Sequence, residues 1–425
     1  MTTRALNDFL TMTGPGTPMG ELFRRYWIPA LAAGELPDPD CPPVRVKLLS
    51  ERLIAFRDTT GRVGVMDEFC AHRGVSLWFG RNEENGLRCA YHGWKYDVTG
   101  QCVEVPSEPE ESGFCKKIRL KSYPCAELGD VIWIYMGPAE HTPPLPGFEW
   151  ARVPHAHRFV SRRTQECNYL QAMEGGIDSA HVSFLHRHEL RHDPLHTSKG
   201  AELTRETDAR FEVVETAGGM IIGVRRPAGP GELYWRITQW VMPFHTMIPP
   251  YGDNALNGHA WVPIDDENCY TWCFTHHPTR PLSGHELETM RNGGGIHVKL
   301  IPGTFRPVVN KDNDYMIDRA AQRDNKSYCG VKGIAMQDAS IQESMGPIQD
   351  RAKENLVSTD NGVIMARVRL RKAALAAQEG RTPDGIDPAT HAVRSASIVL
   401  PENVSFYEAA ADALVAKEGV EHVSI

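Results

Sequence analysis

Two hydrophobic periods divide this chain. Between residues 45 and 136 apolar positions alternate over short runs, Arg45–Leu49, Leu53–Phe56, Val63–Asp67 and Val131–Tyr135. A period of two, broken by Gly-rich turns, predicts short strands and a small β domain over 45–136. Asp58-Thr59-Thr60-Gly61 predicts a turn between two of them, since Asp can bond its own backbone and Gly accepts positive φ. Residues 1–44 hold a helix-prone start and a turn rich in proline (Pro37, Pro39, Pro42, Pro43), expected to pack on the larger domain. From Gly137 to Gly147 four prolines fall in eleven residues, which predicts a stiff linker over 137–154. Beyond residue 155, helix-prone segments at about 165–187, 310–325, 335–357 and 364–379 bracket strands near 201–275. The class is α+β, with an antiparallel sheet gripped by helices in the second domain.

Composition changes this picture little. A chain of 425 residues is long for one core, in keeping with two domains. Its 41% hydrophobic and 24% charged residues are ordinary for a globular protein, and a net charge of −8 argues against nucleic acid and anionic membranes. No apolar run approaches the length of a membrane span. The start, Met1 to Asp8, has an early acid and no apolar segment, so it does not read as a signal peptide. Ten cysteines without such a signal suggest reduced thiols in the cytoplasm. Eight of them (Cys41, Cys102, Cys115, Cys125, Cys167, Cys269, Cys273, Cys329) form no metal spacing and read as small hydrophobes.

The other two carry chemistry. Cys70-Ala71-His72 and Cys89-Ala90-Tyr91-His92 stand with sixteen residues between His72 and Cys89. Each loop offers one thiolate and one imidazole, which suits a two-iron, two-sulfide cluster with both Cys on one iron and both His on the other. Zinc is the competing reading, but zinc fingers group a Cys pair before a His pair. Arg73-Gly74 and Gly93-Trp94 follow the two loops; small residues let amides approach sulfide, and an aromatic ring excludes water. Residues 104–109 form either a third loop over the cluster or a plain surface loop.

A second constellation begins at Asn168 and runs through Gly175-Gly176-Ile177-Asp178-Ser179-Ala180-His181 to His186. Two His with a distant carboxylate would make a facial triad for ferrous iron. His181 and His186 are five apart, about 140° on an ideal helix, so the helix must end or bulge there. Gly175-Gly176 is expected to distort it. Asp178, three before His181, is expected to accept that ring's other N–H. For the third ligand, 337–351 offers Asp338, Glu343 and Asp350. An apolar stripe of Ile341, Met345, Ile348 and Ala352 predicts that Asp338 points inward, while Glu343 and Asp350 face solvent; the alternative is that Asp338 caps the helix start. Gly346-Pro347 is expected to kink this helix. His188, His192 and His196 lie in a polar stretch and are expected to be exposed or at the rim of the site.

These motifs, with Gly14-Pro15-Gly16-Thr17-Pro18-Met19-Gly20 and Arg24-Arg25-Tyr26-Trp27 near the start, resemble those of the Rieske non-haem iron aromatic-ring oxygenases, nearest to catalytic subunits of the phthalate 4,5-dioxygenase-like group. The resemblance implies a small β-sandwich domain holding a Rieske [2Fe-2S] cluster on Cys70, His72, Cys89 and His92. It implies a helix-grip (START-like) domain holding Fe(II) on His181, His186 and Asp338. Asp178 would bridge to His92 of a neighbouring subunit, requiring a homotrimer or stacked hexamer. Asn168 matches a polar residue near the iron, although a structural hydrogen bond in the core fits it equally. A separate flavin and [2Fe-2S] reductase would supply electrons, since this chain has no dinucleotide-binding motif. The implied reaction is O2-dependent hydroxylation of an aromatic carboxylate such as a phthalate, substituted benzoate or phenoxybenzoate. The alternatives are an O-demethylating monooxygenase of a methoxylated aromatic acid, or an electron carrier with no oxygenase activity. In the strand Leu233–Met242 the face of Leu233, Trp235, Ile237, Gln239 and Val241 is expected to line pocket or core, with Arg236 pointing away. Gln239, Ser179 and Phe184 are the pocket candidates; Arg205, Arg210, Arg225 and Arg226 are the candidates for binding a substrate carboxylate.

Overall fold

The computed structural model describes residues 2–196 and 198–425. Contacts divide them into two compact units, residues 13–145 and residues 2–12 with 146–425.

In the smaller unit the alternating runs pair as antiparallel strands. Val44–Leu48, Glu51–Arg57, Val63–Asp67 and Ser122–Tyr123 form one sheet, and Arg81–Glu83, Gly86–Arg88, Lys95–Tyr96 and Cys102–Glu104 form another. The turn after the second strand forms as expected: Asp58 Oδ1 accepts from the N–H of Thr60 and Arg62, and Gly61 has φ +86°. Between the sheets Ile54, Phe56, Met66, Leu77, Leu87 and Tyr96 are fully buried, and Cys70 and Cys89 belong to the same core. Each large apolar side chain buried there contributes about 1.5–3 kcal/mol, so the cysteines are held by packing as well as by their loops.

The N-terminal segment does not behave as one piece. Residues 13–44 group with the β unit, because Trp27–Ala32 pairs with Val131–Tyr135 and Arg24 makes a 2.7 Å ion pair with Glu51. Only residues 2–12 join the larger unit. There Leu10 and Thr11 carbonyls accept from Tyr169 Oη and Asn168 Nδ2. The Pro-rich stretch is divided likewise: Pro143 accepts from Trp27 Nε1, whereas Gly147 donates to His391 Nδ1. Buried backbone partners, which the sequence does not display, decide both boundaries.

The larger unit is built on an eight-stranded antiparallel sheet. Its strand order is Arg158–Gln165, Cys269–His276, Leu256–Pro263, His245–Ile248, Glu232–Val241, Gly219–Gly229 and Arg210–Glu215, with Ala396–Pro401 also pairing on Glu232–Ile237. The helix Tyr169–Ile177 packs on this sheet. Its start is set by Asn168, whose side chain accepts from Leu170 N–H. Its two glycines do not distort it. A Cβ on Gly175 would lie 2.1 Å from Gln342 Nε2, and one on Gly176 2.1 Å from the Trp261 ring. They let the helix approach strand Leu256–Pro263 and helix Ile334–Ser344 closely.

The predicted helices are shorter than their hydrophobic patterns. The first ends at Ile177, where Asp178 is extended. The expected helix 335–357 is Ile334–Ser344: Gly346 takes φ +89° and Pro347 follows, so the pair stops the helix rather than kinking it. Residues 311–323 form two short pieces, Lys311–Met316 and Arg319–Arg323; Asn361–Gln378 is continuous. Among the described residues no helix is long and apolar enough to cross a membrane.

Glu174 pins the Tyr169–Ile177 helix. It is buried and accepts from Arg351 Nη2 at 3.1 Å and Arg367 Nε at 2.7 Å. Burial pushes its carboxyl up, but the two guanidinium charges outweigh this and hold it below the usual range. Its folded value is therefore below its unfolded one. The stability it contributes is present above the ordinary glutamate range and is lost as pH falls through the depressed value. Glu174→Gln breaks a buried charge network and should cost about 3–5 kcal/mol. Denaturant melts of the two proteins at pH 7 check this; equal midpoints would refute it.

Candidate active site

The two Cys–His loops are built alike. Cys70 N–H donates to Val75 O and Gly74 N–H to Cys70 O; Cys89 N–H donates to Trp94 O and Gly93 N–H to Cys89 O. Each turn closes on a glycine in the left-handed region, Gly74 at φ +71° and Gly93 at φ +76°. The turns bury Cys70 and Cys89 at 3% exposure and leave His72 and His92 exposed. The two imidazole rings stand 4.4 Å apart, and the Trp94 ring stacks on His72 at 4.6 Å. Burial pushes the Cys89 thiol up, while backbone N–H groups of Tyr91 and His92 oppose it. Those amides form a cradle for a thiolate. The Tyr96 hydroxyl oxygen accepts from Ala71 N–H and lies 3.2 Å from Cys70 Sγ, which leaves its proton free for the sulfur. Pro106 of the 104–109 segment lies 3.0 Å from where a Gly93 Cβ would be, so this segment covers the second loop. Two thiols inside, two imidazoles outside and amides aimed at sulfur fit a two-iron cluster.

The second centre forms where the Tyr169–Ile177 helix stops. Asp178 Oδ1 accepts from Ala180 N–H at 2.7 Å, turning the chain into a short 3-10 segment, His181–Ser183. This break satisfies the five-residue spacing. The Nε2 atoms of His181 and His186 lie 3.4 and 3.1 Å from Asp338 Oδ1, and the three donor groups lie within 4.8 Å of one another. Both rings are locked from behind. His181 Nδ1 donates to Asp178 Oδ2 at 3.1 Å, and His186 Nδ1 to Gln337 Oε1 at 2.7 Å. The Gln337 amide is oriented by its own Nε2 donation to Val331 O. With protons on both Nδ1 atoms, the Nε2 lone pairs face Asp338, as a metal requires. Burial raises the Asp338 carboxyl, but without a metal the facing His186 and His181 rings, in their protonated form, hold it at about 2. Burial likewise raises Asp178, and its hydrogen bond to His181 brings it below the usual range. Two neutral-capable imidazoles and a carboxylate fit a ferrous ion with open positions.

Asp338 holds the expected place, but not for the expected reason. The helix begins after Gly333, so Asp338 lies inside it and is not a cap. The supposed inward stripe faces out: Ile341 and Met345 are 43% and 44% exposed, whereas Gln337 and Gln342 are buried. Glu343, expected to face solvent, is half-buried and accepts from Tyr315 Oη at 2.6 Å. Gln337, which orients His186, was missed because a buried glutamine beside the carboxylate has no distinguishing pattern.

Several other residues lie elsewhere than expected. Asn168 starts the helix that Asp178 ends, about 15 Å away along its axis; it is fully buried and bonds Thr11 O and Asp266 O. Its role is structural. Gln239 donates to Arg394 O and Leu414 O, on the face where Trp235 stacks on Phe406 at 4.6 Å. That face is core, and Arg236 on the opposite face enters the cleft. Phe184 is 44% exposed and pairs with Tyr328, away from the cleft. Ser179 is buried beneath the site, accepting from Arg236 Nη1 through Oγ and from Arg226 Nη2 through its carbonyl. Arg205, Arg210 and Arg225 do not line the cleft, and Arg226 is fully buried against backbone oxygens. His196, expected outside or at the rim, is buried and lines it.

The cleft beside the three donors has a volume of about 70 Å³ and is walled by Trp261, Ile296, Ile334, Arg236, Arg163 and His259. A second cleft shares Asp178, His181 and Asp338 and is bordered by Ile341, Met345 and Leu356. The donors thus stand in a wall between two openings.

Residues 26–124 match the Rieske [2Fe-2S] domain model, and residues 134–420 match the LigXa C-terminal domain like model. The chain is 37% identical to the 3-chlorobenzoate-3,4-dioxygenase oxygenase subunit of Comamonas testosteroni, over 96% of this chain and 98% of that one. It is 39% identical to the phthalate 4,5-dioxygenase oxygenase subunit of Pseudomonas putida, over 91% and 89% respectively. The structure of dicamba monooxygenase bound to 3,6-dichlorosalicylic acid superimposes with a TM-score of 0.59 at 18% identity, covering 84% of this chain and 98% of that one. Two matched domains and relatives spanning nearly the whole chain make this protein a member of the Rieske non-haem iron oxygenases, of the oxygenase-subunit type.

Proposed function

We propose that this chain is the terminal oxygenase of a multicomponent system that hydroxylates an aromatic carboxylate, with dihydroxylation of the ring as its reaction. One observation carries the proposal: a cleft walled by Trp261, Ile296 and Ile334 lies against the His181, His186 and Asp338 triad and receives a buried arginine, Arg236, with no acidic partner among the described residues. Among the described residues Arg236 hydrogen-bonds only to neutral groups, Tyr251 Oη at 3.1 Å and Ser179 Oγ at 3.3 Å. Its guanidinium is therefore available to a carboxylate in two-pronged geometry.

Cys70, His72, Cys89 and His92 would hold the [2Fe-2S] cluster, and His181, His186 and Asp338 the iron. When bound, these groups supply one-electron transfer and dioxygen activation. The protein's own residues do the rest. Asp178 and Gln337 keep protons on the Nδ1 atoms of the histidines, so that both Nε2 atoms stay ligands. Trp261, Ile296 and Ile334 exclude water and stack or pack the ring. Tyr251 and Ser179 hold Arg236 at the carboxylate.

Electrons come from a separate flavin and [2Fe-2S] reductase. They pass between subunits of a homotrimer, from His92 of one chain to Asp178 of the next. Exposed His92, and the apolar Ile341, Met345 and Leu356 bordering the Asp178 cleft, support such a joint.

Turnover under labelled oxygen gas, with reductase and a panel of phthalates, halobenzoates, phenoxybenzoates and methoxybenzoates, tests the reaction. Two labelled oxygens in a dihydrodiol or catechol are expected; formaldehyde with a demethylated phenol would move the reaction to O-demethylation. Asp178→Asn keeps an acceptor for His181 but removes the charge. Turnover should fall at least about 100-fold while iron content and cluster spectrum stay normal; wild-type turnover would sink the bridge. Tyr96→Phe removes a proton donor to Cys70 Sγ and should lower the cluster's midpoint potential, read by spectroscopic redox titration. An unchanged potential would show that the hydroxyl does not reach the sulfur.

A further inference from the structure

Hydroxylation consumes protons, and an apolar cleft supplies few. Adding both atoms of O2 to a ring, with two electrons, forms two O–H bonds and takes two protons. Adding one atom and releasing the other as water takes the same two. Ile248, Trp261, Ile296 and Ile334 wall the cleft against bulk water. A side chain must therefore carry a proton to the new oxygen.

Most ionisable groups of the cleft are unsuited to this. His181, His186 and Asp338 are the metal donors, and Asp178 is tied to His181. Arg163 and Arg236 line the cleft, but a guanidinium does not release its proton. Burial and then the Arg163 charge hold His259 down to about 3, so its ring carries no spare proton at neutral pH. Tyr251 offers a phenol, a much weaker acid than an imidazolium.

His196 is built for the task. It is 6% exposed and lines the cleft. Its Nδ1 stands 3.4 Å from Asp193 Oδ2, an ion-pair distance rather than a regular hydrogen bond. Asp193 is itself held in place: Oδ1 accepts from Leu195 N–H at 2.9 Å, and Oδ2 from Gly295 N–H at 3.0 Å. Burial raises its carboxyl, but the facing His196 and these amides bring it below the usual range, so it meets the ring as a carboxylate. A carboxylate behind one ring nitrogen frees the other to give up and regain a proton. The Tyr251 ring meets His196 edge-on at 5.9 Å. His196 also borders a second cavity, of about 10 Å³, lined by Asn257, Thr275, Glu286 and His297. That is about the room one water needs, with polar groups to hold it. Its own titratable members do not compete as donors. Burial raises Glu286, but its Arg280 partner holds it ionised at about 2, and burial holds His297 down to about 3.

We infer that His196 is the proton donor of the cleft, with Asp193 as its positioning residue. The Nε2–H bond of the imidazolium breaks and an O–H bond forms on the oxygen being reduced. Neutral His196 then takes a proton back from water on the side of the polar cavity, once for each proton consumed. This rests on the oxygenase reading of the cleft and adds a residue to it.

The test is a single turnover. Oxygenase carrying both metal centres is reduced beforehand and mixed with O2 and the best acid of the panel above, as wild type, His196→Gln and Asp193→Asn. Calorimetry of the same acid runs alongside. His196→Gln should slow product formation at least about 100-fold, the scale of a lost general acid, while acid affinity stays within about twofold. Asp193→Asn keeps the ring but removes its counter-charge. The imidazolium is then lost at lower pH, so the alkaline fall of the product-forming rate should move to lower pH with affinity unchanged. A merely structural Asp193 would not move that profile, and the readout serves even if His196→Gln does not fold. Product formation by His196→Gln within about threefold of wild type, or an unmoved profile in Asp193→Asn, overturns the proposal. A loss of acid affinity that accounts for the whole loss of rate makes His196 a binding residue and overturns it too. No product from wild type with any acid overturns the aromatic-acid reading, and this inference with it.

Discussion

The site depends on where one helix stops. Two histidines five residues apart cannot address a common point from a regular helix. Asp178 resolves this by leaving the helix and folding its carboxylate back on Ala180 N–H and His181 Nδ1. One side chain thus ends the helix, starts the turn that brings His186 round and sets the tautomer of His181. Gln337 sets the other ring from a different helix. The donor geometry is over-determined before any metal arrives, as the close approach of three ligand groups requires.

Holding that break in place takes a good part of the larger unit. Gly175 and Gly176 let the helix lie against Gln342 and Trp261 more closely than any side chain would allow. Glu174 ties its middle to Arg351 and Arg367, and Asn168 ties its start to the N-terminal residues and to Asp266. The cleft sets Arg236, Arg163 and His259 among the apolar Ile248, Trp261, Ile296 and Ile334, an arrangement that leaves charge for a ligand to meet.

The small unit solves its problem by repetition. Two turns with the same hydrogen bonds and the same left-handed glycine present thiols inward and imidazoles outward. Trp94, just before the strand that follows the second loop, and Tyr96, on it, orient a histidine and a sulfur. Sequence spacing and backbone conformation say the same thing here, and this is why the cluster loops were legible at once.

Local chemistry was thus decided by the sequence alone. It set the β character of the small unit, the turn at Asp58, the four cluster loop residues and the pairing of Asp178 with His181. Each rests on short-range covalent spacing, or on a ligand set too unusual to arise without a metal. The tertiary structure decided what depends on partners distant in sequence. Asn168 proved a helix start because Thr11 and Asp266 take its amide. The apolar face of strand Glu232–Val241 is core and not pocket because Phe406 and the Leu414 carbonyl, far downstream, cover it, and Arg236 on the other face enters the cleft. Ile341 and Met345 face outward because buried glutamines occupy the inner side of their helix. Arg163 reached the cleft through cross-strand register with Thr271 and Trp261, far downstream. Periodicity reports that a face is buried; only the fold determines against what.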